Sequence, residues 1–209
     1  MENTNRYEHN FDRYKTVGGE SYDAKGLTYY VLRYPADRII IPLIERIQGR
    51  HVIDVGCGTG YYSVLFPTSN TVTGVDINPH LATHSGLKVI EARAEDFARR
   101  LPKEIHADLV FSAWMTEYLD ARALSAFFEN SYTVLPKGGM FVSTIIGTWG
   151  LGFAYVFLAR HINGVKKYSH AASDVVRILE RIGFINIKII PLRSWAWIPF
   201  GYMVSAGKL

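Results

Sequence analysis

The sequence predicts one doubly wound α/β domain, and three observations carry that expectation. Strand-like runs near residues 51–55, 71–76, 87–91, 107–112 and 138–145 alternate with helical segments near 59–66, 79–84 and 120–132, the pattern of right-handed parallel crossovers. The first strand runs into a turn with glycines at alternate positions, Gly56, Gly58 and Gly60, as a backbone does where it must turn tightly and admit a ligand. The chain has 209 residues, 48% of them hydrophobic, which suits a single α/β unit with a sizeable core.

Taken in order, residues 1 to 25 are polar and rich in tyrosine and contain Gly18-Gly19, so residues 1–35 read as an arm or cap over the site. Residues 36–48 carry apolar side chains at 40, 43, 44 and 47, one helical face, and lead into the strand at His51. Thr71-Val72-Thr73-Gly74-Val75-Asp76 is β-branched at alternate positions and ends in a carboxylate. Asp76 can serve the ribose of a nucleoside, as an acid about 20 residues past the glycine turn does in dinucleotide folds, or simply cap the turn at Asn78-Pro79. Near the end, Ser173 is expected to cap the helix of residues 174–179, and a strand is expected from 185 to 190. Residues 146–170 read as an insertion. Its apolar run from Leu151 to Ala159 is about half of the roughly 20 residues that a membrane-spanning helix needs.

Spacing separates three readings of the glycine turn. A dinucleotide fingerprint wants glycine at the sixth position, where Tyr61 stands. A phosphate-cradling loop needs a lysine after the glycines, and none follows. The run Asp54-Val55-Gly56-Cys57-Gly58-Thr59-Gly60 instead resembles motif I of the class I S-adenosylmethionine-dependent methyltransferases. The resemblance extends through Val89 to Phe97, similar to the third-strand exit of that family, and Asp108 to Asp120, similar to its motif IV. It continues through Leu135-Pro136-Lys137-Gly138-Gly139 and Ile182-Gly183-Phe184, near the family's fifth strand and closing hairpin.

That resemblance implies a Rossmann-like seven-stranded sheet, mostly parallel with a C-terminal antiparallel hairpin strand, and S-adenosyl-L-methionine as cofactor, released as S-adenosyl-L-homocysteine. Within the family the chain is similar to the small-molecule UbiE/UbiG-like group. By the same resemblance, Gly56, Gly58 and Gly60 give close backbone approach with Cys57 as a small spacer. Asp54 orients the amino-acid end, Asp76 holds the ribose, Ile77 packs on adenine, and Ala94 and Glu95 read its edge. Ser112, at the end of the fourth strand, and Tyr29 complete the expected cofactor set, with Tyr14, Tyr22 and Tyr30 as other N-terminal tyrosines able to close the site. The family often has histidine where Tyr118 stands.

Composition narrows the partners. With 23 Lys and Arg against 19 Asp and Glu, the net charge is only +4, and the pairs Arg99-Arg100 and Lys166-Lys167 are isolated, so nucleic acid is disfavoured. One cysteine and a polar N-terminus suggest a reducing cytoplasm. No His, Cys, Asp and Glu cluster has metal-ligand spacing. The aromatic insertion suits a small apolar or aromatic acceptor, but equally core packing or a homodimer contact. With Arg160, Lys166 and Lys167 nearby, shallow contact with a bilayer is a further option. Methyl transfer to an O, N or C atom needs alignment above all, with a general base only for a hydroxyl or protonated amine. His170 and Tyr118 are the catalytic candidates, ahead of His161 and Glu117. Two other function classes stay open at this point: a scaffold that binds the cofactor or its product, and an RNA or lipid methyltransferase.

Overall fold

The structure, a computed structural model, describes residues 29–82, 86–103, 105–162, 166–194 and 196–209. A short π-helical turn, Tyr29–Arg33, opens into helix α1, Tyr34–Glu45. The strands are β1 His51–Val55, β2 Thr71–Asp76, β3 Lys88–Glu91, β4 Leu109–Ser112, β5 Met140–Ile146, β6 Phe184–Arg193 and β7 Pro199–Lys208. The remaining helices are α2 Ala121–Val134, α3 Gly150–Ile162 and α4 Ala172–Ile182.

The seven strands form one sheet in the order β3-β2-β1-β4-β5-β7-β6. The first five are mutually parallel, and β7 runs antiparallel to both β5 and β6. Strand residues alternate between two faces. Ile53, Val110 and Phe141 pack with Phe127, Phe128, Val175 and Leu179 on one face, whereas Val52, Phe111 and Val142 pack with Ile40, Ile44, Tyr62 and Phe66 on the other. Burial on both faces is what parallel strands require. It also brings the C-terminal ends of β1, β2 and β4 to one edge of the sheet, around the reversal of strand order at β1, where ligands of such folds bind.

Several expected elements are shorter than their sequence pattern. The helix expected at 59–66 is one 3-10 turn, Ser63–Leu65: Gly60 at φ +86° interrupts it upstream, and Phe66 is extended at ψ 134°, as the residue before Pro67 must be. The helix expected at 79–84 is likewise a single turn, Pro79–Leu81. The helix at 174–179 begins earlier, at Ala172, with Ala171 as its cap and no side-chain hydrogen bond, so Ser173 lies inside the helix and not at its cap. In contrast, Asp120 caps α2 as a carboxylate should, accepting from Arg122 N at 3.1 Å and Ala123 N at 2.9 Å. The insertion contains α3. No helix among the described residues is long and apolar enough to cross a membrane.

Candidate cofactor and acceptor site

The glycine turn is fastened to the end of β2. Gly56 N and Cys57 N both donate to Val75 O, at 2.7 and 3.2 Å. Gly56 and Gly58 adopt φ +74° and +53°, a region that side chains disfavour. Space makes the same demand at Gly56, where a Cβ would lie 2.3 Å from Met115 Cγ. The loop after β4 therefore rests directly on the turn. Between them lies a cleft that is open to solvent.

One end of the cleft is polar. Asp76, 8% exposed, accepts Gly58 N on Oδ2 and Asn78 N on Oδ1, each at 2.8 Å. Burial raises its pKa, and these backbone N–H groups oppose the shift. A carboxylate accepts about four hydrogen bonds, so Asp76 retains acceptor capacity beyond the backbone N–H groups of Gly58, Ile77 and Asn78. Ile77, Ala94, Glu95 and Arg93 line the same end. Asp54 sits one layer below, accepting Ser63 Oγ at 2.6 Å. Burial, reinforced by the nearby Asp76, lifts its pKa to about 7, although the Ser63 bond favours ionisation. Cys57 is buried, its thiol pushed well up by that burial and by the two carboxylates. It is no nucleophile.

The other end is apolar and aromatic, with walls from Trp114, Met115, Tyr118 and Leu119. Trp114 holds φ +60°, uncommon for a bulky residue, and the surroundings enforce it. Its backbone N donates to Thr144 Oγ1 at 2.9 Å, and its indole Nε1 donates to Tyr62 OH at 2.8 Å. Tyr62 OH in turn donates to Asp37 Oδ1 at 2.6 Å, and the indole stacks on Phe200 at 6.1 Å.

Behind Tyr118 lies a buried ionic cluster. Lys167 Nζ is 3.2 Å from Glu117 Oε1, the two side chains being 8% and 4% exposed. Lys167 also donates to Tyr155 OH and lies 4.8 Å from the centre of the Tyr118 ring. Burial raises the Glu117 pKa while Lys167 opposes the rise. Tyr168 N donates to Glu117 O at 2.7 Å, which fastens the segment after α3 to this loop.

Of the residues expected from sequence, Gly56, Gly58, Asp76, Ile77, Ala94, Glu95 and Tyr118 line the cleft. Asp54, Cys57, Gly60 and Ser112 form its supporting layer. Ser112 is fully buried at the end of β4, and its Oγ has no hydrogen-bond partner among the described residues. His170 stands behind the wall, its Nε2–H donating to Leu119 O at 3.0 Å, and burial lowers its pKa despite that bond. Tyr14 and Tyr22 lie outside the described residues, as do the side chains of Tyr29 and Tyr30. Among the described residues no group of three His, Cys, Asp or Glu side chains is placed to hold a metal. The sequence assigns no site role to Trp114 or Met115 and reads Lys167 as a surface cation, whereas its side chain is buried beside Glu117. Only the bulk of Trp114-Met115, directly after the fourth strand, was available as a signal.

Residues 52–139 match the family model described as a methyltransferase domain, a match to the domain as a whole that carries no subgroup. No curated protein matches the sequence. Among solved structures, the chain resembles a SAM-dependent methyltransferase from Archaeoglobus fulgidus, with a TM-score of 0.67 and 20% identity over 84% of this chain and 93% of that one. It also resembles magnesium protoporphyrin IX methyltransferase from Synechocystis with bound SAH, with a TM-score of 0.65 and 16% identity over 96% of this chain and 94% of that one. A putative S-adenosylmethionine-dependent methyltransferase from Listeria monocytogenes gives a TM-score of 0.64 and 17% identity over 85% and 99%. At these identities the shared property is the fold.

Proposed function

We propose, for a chain that carries a class I methyltransferase domain over residues 52–139, transfer of the methyl group of S-adenosyl-L-methionine to a small acceptor with an apolar or aromatic body. The observation that carries this reading is a single cleft lined both by Asp76 and Glu95, from the end of β2 and the segment after β3, and by Trp114, Met115, Tyr118 and Leu119, from the loop after β4. The residues present fit the cofactor. Asp76 keeps acceptor capacity for a ribose hydroxyl, Ile77 and Ala94 offer an apolar seat for adenine, and Glu95 can accept from its amino group. Ser112 Oγ, without a hydrogen-bond partner among the described residues, and the buried Asp54, held by Ser63 Oγ, suit the polar, zwitterionic amino-acid end.

Bound there, S-adenosyl-L-methionine supplies a methyl group made electrophilic by the sulfonium and leaves as S-adenosyl-L-homocysteine. The chain supplies alignment, worth up to about 7–11 kcal/mol when the reacting atoms are held in line. Met115 and Trp114, fixed by the Gly56 contact and the Trp114–Tyr62–Asp37 chain, keep water away from the acceptor end. Tyr118, in the cleft lining, would offer its hydroxyl to the acceptor. His170 is not part of the cleft lining; with Nε2–H given to Leu119 O, its basic nitrogen is Nδ1, and that atom would have to face the acceptor for His170 to take a proton.

Calorimetric titration with S-adenosylmethionine and S-adenosylhomocysteine, beside an Asp76→Ala variant, tests the reading. Micromolar binding lost in the variant is expected. Failure of the folded wild-type protein to bind either ligand sinks it.

A further inference from the structure

Helix α3 has two unlike faces. Inward, Leu151, Tyr155 and Val156 pack against the sheet cluster, and Ala159 is buried. Outward, Phe153, Phe157 and Leu158 are 59%, 50% and 49% exposed, and Trp149, just before the helix, is 66% exposed. The spacing 149, 153, 157 forms one stripe. Within it Phe153 stacks on Phe157 at 6.3 Å, and Phe157 stacks on His161 at 4.1 Å. The tip of the β6–β7 hairpin extends the patch with Trp197 and Ile198, 76% and 41% exposed. The tip and the helix are in backbone contact, since a Cβ on Gly150 would lie 2.3 Å from Pro199 O and one on Gly152 would lie 2.1 Å from Phe200 O. A contiguous aromatic face of this kind marks an interaction site.

Charge identifies the partner. Residues 130–173 contain no Asp or Glu at all, and residues 130–209 hold nine Lys and Arg against two acids, a balance of +7 within a chain whose net charge is +4. Arg160, His161, Lys166 and Arg193 are exposed around the patch, with the Arg193 guanidinium 5.9 Å from the Trp197 ring. A second copy would set like charges against like. A single-stranded nucleic acid would call for open aromatic faces on which bases stack, whereas here the rings stack on one another beside the aliphatic Leu158 and Ile198. We propose that this face seats the protein on an anionic phospholipid bilayer. Trp149, Phe153, Phe157, Leu158 and the Trp197–Ile198 tip enter the boundary between headgroups and acyl chains, and Arg160, Lys166 and Arg193 meet the phosphates. The surface is separate from the cleft, so bilayer binding and cofactor binding can fail independently.

The test is co-sedimentation of the full chain with vesicles of phosphatidylglycerol and phosphatidylcholine, and with phosphatidylcholine alone, together with quenching of tryptophan fluorescence by brominated acyl chains. Expected are salt-sensitive binding to the anionic vesicles, weak binding to the neutral ones, and quenching that disappears in Trp149→Phe/Trp197→Phe. Trp149→Ser/Phe153→Ser/Phe157→Ser and, separately, Arg160→Glu/Lys166→Glu each weaken binding by about tenfold or more, with the melting temperature unchanged. The proposal is overturned by absence of binding to anionic vesicles, by undiminished binding of the triple serine variant, by a dimer that this variant converts to monomer, or by an RNA oligonucleotide that binds where vesicles do not.

Discussion

At the ends of β1 and β2, Asp54 and Asp76 are buried against a serine hydroxyl and backbone N–H groups, whereas Glu117, equally buried on the far side of the cleft, faces the ammonium of Lys167. The first pair accumulates negative charge at low solvation, which is why the Asp54 pKa climbs to about 7. Under the proposed function, the cofactor would complete this arrangement. The second is complete in itself and joins the segment after α3 to the loop that carries Tyr118. Receptive chemistry and structural chemistry thus stand on opposite walls of one cleft.

The sharpest way to break this contrast is to remove the cation. Lys167→Met leaves Glu117 buried without its partner and should lower stability by about 3–5 kcal/mol in denaturant unfolding. Adding Glu117→Gln should recover most of the loss, whereas no rescue would mean that packing of the lysine stem dominates. On the receptive wall, Gly56→Ala drives a Cβ against Met115 at a φ of +74° and should cost up to about 3 kcal/mol. Met115→Ala in the same chain relieves the clash but not the backbone strain.

Asp54 gives a prediction in pH. Its folded pKa, about 7, exceeds its ordinary value of 3.8, so the folded state retains a proton that the unfolded chain releases. Stability should therefore fall as pH rises from about 4 to about 7, by about 4 kcal/mol, and Asp54→Asn should flatten this slope. His170 has the opposite sign. Its folded pKa lies below the ordinary 6.5, so the stability present above that value is lost as pH falls through the lowered folded one. His170→Gln should remove that loss. A variant that kept the full acid sensitivity would assign it to another group.

The receptive wall was legible in the sequence because its parts are local: a strand, its glycine turn, and one acid at the end of the next strand. Gly56, Gly58, Asp76, Ile77, Ala94 and Glu95 all reach the cleft. The structural wall was not legible. Glu117 and Lys167 are 50 residues apart, and Trp114 owes its backbone conformation to Thr144 and Tyr62, contacts that no local pattern announces. The same limit shortened the expected helices after β1 and β2. After β1, the glycine turn and Pro67 prevailed over the helical pattern; after β2, the chain turns extended at Ala82.

The place of β7 in the sheet has a consequence for how the molecule is made. β7 is the last strand of the fold in chain order, yet it lies between β5 and β6 and carries the buried Phe200, Met203 and Val204. As the chain emerges from the ribosome, at about 5–20 residues per second, β6 is released with no neighbour to join, and β5 presents an open edge. That edge attracts foreign strands until it is filled. The fold is therefore most exposed to misassembly after β5 has emerged and before residues 199–208 have done so, and a pause of translation within that window should harm the yield of folded protein more than a pause anywhere earlier.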